Sequence, residues 1–226
     1  QGRDDGEGRQ DPMTDDGDKR PPPGMDSGEK SAAPAETAGE LTHLEDPRAD
    51  SPRPHEPRAV AVLGTLSVGK SVIFDQVCPP KGRRLQPMRG SSVEVARGRL
   101  RGGIFGSGAA DVELLDTPGI YSLFSDGEDG MVVRQLLLEG EVDTLLQVLD
   151  AKSLRRSLVL ALQLAEFGRP MTFVLNMTDL AVSRGIEIDA RALGELLGVD
   201  VLPAVAVERR GLDELPEQLH RARAPT

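Results

Sequence analysis

Apolar residues along this chain fall into short, β-branched runs that end on glycine or a polar residue, and each run is followed by a stretch with helical spacing. Residues 58–64 (RAVAVLG) read as a strand closing on Gly64, and residues 70–77 as the helix reached through a short loop. Residues 92–100 alternate, a glycine-rich turn occupies 101–108, and 111–115 alternate again. These two runs are expected to pair as neighbours at one edge of a sheet. Farther on, helical spacing at 130–138, 154–167 and 190–197 separates apolar runs at 144–149, 171–175 and 200–205, and a closing helix is expected from Leu212. Such alternation implies an α/β, three-layer architecture: a six-stranded, mostly parallel sheet with helices on both faces.

Composition divides the chain. Residues 1–58 hold nine of the seventeen prolines, no aromatic residue, and 15 acidic against 8 basic side chains, so they carry −7 of the −10 net charge. They cannot bury enough apolar surface to offset the entropy of ordering. Residues 1–57 are therefore expected to be a disordered acidic, proline-rich segment, 58–222 one folded domain, and 223–226 a short tail. A mildly acidic domain offers no electrostatic footprint for nucleic acid or for an anionic membrane. Cys78 is the only cysteine, which excludes an intrachain disulfide or a thiolate metal cluster. The longest apolar stretch is broken by Gln163 and Glu166, short of the roughly 18–20 residues that cross a bilayer. The chain as given is expected to be soluble and cytoplasmic, with no direct membrane insertion. It opens on Gln1 without the apolar core of a signal peptide, as a fragment of a longer protein would.

Three motifs carry chemistry. Gly64-Thr65-Leu66-Ser67-Val68-Gly69-Lys70-Ser71 fits G-x-x-x-x-G-K-[ST] between an expected strand and helix. Backbone N–H groups from Gly64, Ser67, Val68 and Gly69 through the helix start at Val72 would close round phosphates, with Lys70 on the outer phosphates and the Ser71 hydroxyl on magnesium. Asp116-Thr117-Pro118-Gly119 follows a strand, so Asp116 can hold magnesium through water and Gly119 can offer its N–H to a terminal phosphate. Asn176-Met177-Thr178-Asp179 follows another strand and fits N-x-x-D. Asp179 would accept from guanine's N1 and exocyclic amine, donors that adenine lacks, while Asn176 would tie this loop to the first. The ligand expected from these residues is GTP or GDP.

The string DTPGIYSL at 116–123 and the loop NMTD resemble the D-L-P-G-x-Y-S-L and N-M-x-D of the bacterial ferrous iron transport protein B family, and similarity runs over about 58–222. That resemblance implies a P-loop GTPase fold, slow GTP hydrolysis, and a transmembrane iron-permease part absent from these residues, with the domain at the cytoplasmic face of the bacterial inner membrane. It also implies that Ser92, in RGSSVE at 89–94, stands where the family's threonine meets magnesium and the γ-phosphate. By the same resemblance Val205 and Ala206 lie in the last base loop, where Ala204-Val205-Ala206 replaces the usual T-S-A. Loss of the two hydroxyls implies weaker nucleotide affinity and faster release. Ser67 replaces the asparagine associated with potassium, which leaves potassium activation open, and Ile120 stands where many GTPases carry a water-orienting glutamine.

The remaining candidates are bland. His43, His55 and His220 are too scattered for a metal site, and Glu128 and Asp129 suit the start of a helix, where carboxylates complement its dipole. Two alternatives stay open on the residues alone: a nucleotide-binding regulatory module with little or no hydrolysis, and an ATP-using P-loop enzyme.

Overall fold

The structure is a computed structural model that describes residues 57–100 and 112–225; the acidic segment up to residue 56 and the glycine-rich turn at 101–108 lie outside the described residues. Its strands are β1 (Ala59–Gly64), β2 (Arg84–Pro87), β3 (Glu94–Arg99), β4 (Glu113–Asp116), β5 (Thr144–Asp150), β6 (Met171–Asn176) and β7 (Val201–Pro203). They form one sheet in the order β2-β3-β4-β1-β5-β6-β7. From β4 to β7 all neighbours are parallel, with Val62 opposite Asp116, Gly64 opposite Val148, and Asp150 opposite Asn176. The ends of β1, β4 and β6 therefore share one carboxyl edge.

Period-two alternation sorts side chains between two cores. Ala61, Leu63, Leu115, Leu145, Leu149 and Phe173 point to one face, where they meet α2 (Glu128–Leu138) and α3 (Leu154–Ala165), with α5 (Ala190–Leu197) packed alongside. Val60, Val62, Val148 and Val174 point to the other, against Phe74 and Val77 of α1 (Lys70–Val77) and Leu215 and Leu219 of α6 (Leu215–His220). Strands in the middle are buried on both faces, which is why their sequences read as continuous apolar runs.

The sheet has seven strands where the hydrophobic pattern predicted six. β2 is the addition: its four residues are all exposed and the strand ends on Pro87, so no apolar alternation marks it. It pairs antiparallel with β3, Arg84 opposite Arg97. β3 and β4 do pair antiparallel as expected, but β2 and not β3 is the edge. A five-residue helix, α4 (Thr178–Val182), was not predicted, being shorter than any helical period can reveal. The closing helix starts at Leu215 and not Leu212, with Pro216 in its first turn where a missing N–H costs nothing. Arg223, expected in the tail, bridges Met171 across the start of β6.

Candidate functional site

Between β1 and α1 the chain must reverse within a few residues, and it does so through left-handed backbone at Ser67 (φ 59) and Gly69 (φ 94). At Gly69 a Cβ would lie 2.4 Å from Asn176 Nδ2, so the position admits only glycine on two counts. Asn176 ends β6 and is 3% exposed. Its Nδ2 donates to Val68 O at 2.9 Å and its Oδ1 accepts the Ala206 N–H at 2.9 Å. One buried amide thus fastens the loop after β1 to the loop after β7.

Lys70, the first residue of α1, is 7% exposed and donates from Nζ to Thr65 O at 3.1 Å. Burial pushes its amine below the ordinary 10.5, while the carboxylates of Asp116 and Asp129 pull it partly back. Asp116, at the end of β4, is driven the other way: burial raises its carboxyl above the ordinary 3.8 against a hydrogen bond from Ser71 and the charge of Lys70. Its Oδ1 is buried without a hydrogen-bond partner. Gly119 closes in from the next loop, where a Cβ would sit 2.9 Å from Leu66 Cα and 3.0 Å from Lys70 Nζ. Lys70, Ser71, Asp116 and Gly119 therefore come together with the 64–69 turn.

Asp179 opens α4 behind Met177, whose φ of 62 is left-handed. With Val182, Ala204, Val205 and Arg210 it lines a cavity of about 530 Å³. The Val205 N–H donates to Arg210 O at 3.0 Å, so the amides of Val205 and Ala206 both have protein partners. A second cavity of about 440 Å³ lies between α5 and α6 and holds none of these residues. Ser92 is engaged elsewhere: its hydroxyl donates to Glu128 Oε2 at 2.7 Å. Ile120 is buried in the core, 3% exposed. Among the described residues no group of three or more His, Cys, Asp or Glu could hold a metal ion by itself.

The family model for ferrous iron transport protein B matches residues 58–219. The chain belongs to this family. It is 33% identical over 169 residues to the Fe(2+) transporter FeoB of Escherichia coli and, equally, to that of Salmonella typhimurium, covering 73% of this chain and 21% of each relative. The chain thus spans about a fifth of the length of these relatives. Among solved structures, the cytosolic domain of L. pneumophila FeoB is 32% identical with a TM-score of 0.68, over 74% of this chain and 65% of that one. A GDP-bound S. thermophilus NFeoB mutant is 31% identical with a TM-score of 0.67, over 74% and 63%. The GMPPNP form of the T. maritima cytosolic domain gives 29% and 0.65, over 72% and 62%. Among the described residues no helix is long and apolar enough to cross a membrane.

Sequence reasoning missed two residues of this domain. Arg210 reaches the Asp179 cavity through the pairing of Val205 with Arg210, for which no motif gives a signal. Lys152 bonds Asp150 Oδ1 at 2.9 Å and touches the Met177 sulfur, a contact between two strand-end loops.

Two outcomes follow from this geometry. Asn176→Ala strands a buried acceptor and a buried donor and is expected to lower unfolding free energy by about 2–4 kcal/mol in chemical denaturation. Asp116 binds its proton more tightly folded than unfolded, so its contribution to stability is fullest below the unfolded value and is lost as pH rises through the raised folded one. Asp116→Asn is accordingly expected to raise the melting temperature of the ligand-free domain near neutral pH by about 2–4 °C, the shift that about 1 kcal/mol produces at this size. A fall in melting temperature would contradict it.

Proposed function

We propose that this domain binds GTP and GDP with magnesium, hydrolyses GTP slowly, and by its nucleotide state regulates ferrous iron passage through a permease part at the cytoplasmic face of the bacterial inner membrane. The observation that carries this reading is the Asn176 tie, which holds the Lys70 turn and the Asp179 loop on one carboxyl edge of the parallel sheet. Ligands gather at such edges. Relatives solved with GDP and GMPPNP support it.

In this reading the N–H groups of the 64–72 turn surround the phosphates and Lys70 reaches the outer ones. Its amine is already desolvated, so its attraction to phosphate is stronger than it would be in water. Magnesium fits the oxygen donors present: Asp116 Oδ1 is a buried carboxylate oxygen in want of a partner, and the Ser71 hydroxyl lies beside it. Ser71, Asp116 and, once its loop swings in, Ser92 would hold the ion, which would supply charge neutralisation for the phosphates. Gly119 offers its N–H to the γ-phosphate. Asp179 accepts from guanine's N1 and exocyclic amine.

Buried Ile120 cannot orient a water, so attack relies on positioning and charge alone and turnover is slow. A second reading, a module that binds without hydrolysing, is favoured by Ser67 in the variable part of the 64–71 turn and by Ala204-Val205-Ala206 in the last base loop.

GDP is expected to outcompete ADP by at least about 100-fold, with the preference lost in Asp179→Ala; equal competition would point to an ATP-using enzyme. Single-turnover GTP assays in potassium and in sodium decide between the two readings, since normal binding with GTP persisting for hours in both salts leaves only the inert module. Restoring hydroxyls with Ala204→Thr and Val205→Ser is expected to tighten GDP binding and slow its release about three- to tenfold in stopped-flow measurements. Looser binding would refute the role given to this loop.

A further inference from the structure

Glu128 starts α2 and is fully exposed, yet one of its oxygens gathers three donors from a distant loop. Oε2 accepts from Ser92 Oγ at 2.7 Å, from the Ser92 N–H at 3.3 Å and from Ser91 Oγ at 3.2 Å. Ser91 Oγ in turn accepts the Val93 N–H at 3.0 Å, so the carboxylate clasps the whole tip between β2 and β3. These contacts hold the Glu128 carboxyl below its usual range. Asp116 takes a hydrogen bond from Ser71 and the opposite charge of Lys70, against the like charge of Asp75, while the Ser92 hydroxyl goes to Glu128. The next residue, Asp129, is near enough to Lys70 for its charge to favour the ammonium form. The first turn of α2 therefore presents the Glu128 carboxylate to the serine that the metal of a terminal phosphate would use.

We propose that Glu128 is a specificity-determining residue for nucleotide state: it holds Ser91 and Ser92 away from the metal-binding oxygens, so that a triphosphate must break this clasp to bind while a diphosphate leaves it intact. The inference rests on the function proposed above. A γ-phosphate needs Ser92 for its metal, and Ser92 is the residue that Glu128 holds. A diphosphate does not. A carboxylate serving only the helix dipole would need no contact with Ser91 or Ser92, and its loss would weaken the fold without telling the two nucleotides apart.

The test measures binding of fluorescent GDP and of a fluorescent non-hydrolysable GTP analogue to the full chain with magnesium. Glu128→Ala is expected to bind the triphosphate analogue about three- to tenfold more tightly and to leave GDP within about twofold. Glu128→Gln, which keeps the size and loses the charge, should fall between, and it stands in if the alanine variant does not fold. In a Ser92→Ala background the gain from Glu128→Ala should shrink, because the hydroxyl released to the metal is gone even though the Ser91 hydroxyl and the residue 92 N–H are still set free. Equal shifts for both nucleotides, no shift, or an undiminished gain without the Ser92 hydroxyl would each overturn the role of Glu128 alone. Failure of the unsubstituted chain to bind either nucleotide would overturn the proposed function and this inference with it.

Discussion

The loops at the carboxyl edge depend on one side-chain amide. Among the described residues Asn176 alone bonds, through its two polar ends, backbone in loops that follow two other strands, Val68 after β1 and Ala206 after β7. Such loops carry their own turn energetics and would otherwise drift independently. A buried amide bonded at both ends cannot follow one loop without losing the other. Gly69 is the geometric counterpart: the amide sits where any Cβ would be, so the turn and the tie have to be chosen together.

That clamp sets the terms for the charges beside it. Lys70 and Asp116 are each displaced toward their neutral forms by burial, and each restrains the other's shift. A pair stabilising the fold would show the opposite balance, with attraction exceeding desolvation. The domain therefore holds a cation and an incompletely satisfied carboxylate in an environment that favours neither: the unfavourable burial is met on folding, and the anion and metal of the proposed function would recover it. Gly119 adds to this by closing the approach to Lys70 with backbone alone.

Most of the sheet was legible because its strands are buried on both faces and leave apolar runs, and α1 and α5 fall at the residues their spacing predicted. What escaped was what carries no apolar signal. β2 is wholly exposed, and α4 is barely more than a turn. The contiguous turn around Lys70 was legible for the same reason the strands were: its glycines are forced by local backbone, and local constraint is written locally. The clasp of Glu128 on Ser92 joins residues 36 apart through exposed polar atoms, and such contacts leave no periodicity. Glu128 read as a helix-dipole residue, which its position also makes it.

Burial also separates the two loops beside the candidate site, 117–123 and 88–93. Residues 117–123 are pinned: Thr117 bonds Val62 O through both its N–H and its hydroxyl, Ile120 bonds Gly64 O, and the Leu123 N–H bonds Gln163. Ile120 and Leu123 are 3% and 1% exposed, and withdrawing each from the core would cost about 1.5–3 kcal/mol. The loop at 88–93 has one buried anchor, Met88, and its tip is held through exposed bonds that water can replace. A ligand can shift only an equilibrium whose states lie close in energy. On these terms, if the proposed phosphate site is right, the 117–123 loop would act as a strut beside it at Gly119, and the 88–93 loop, once released from α2, would be the part free to report it.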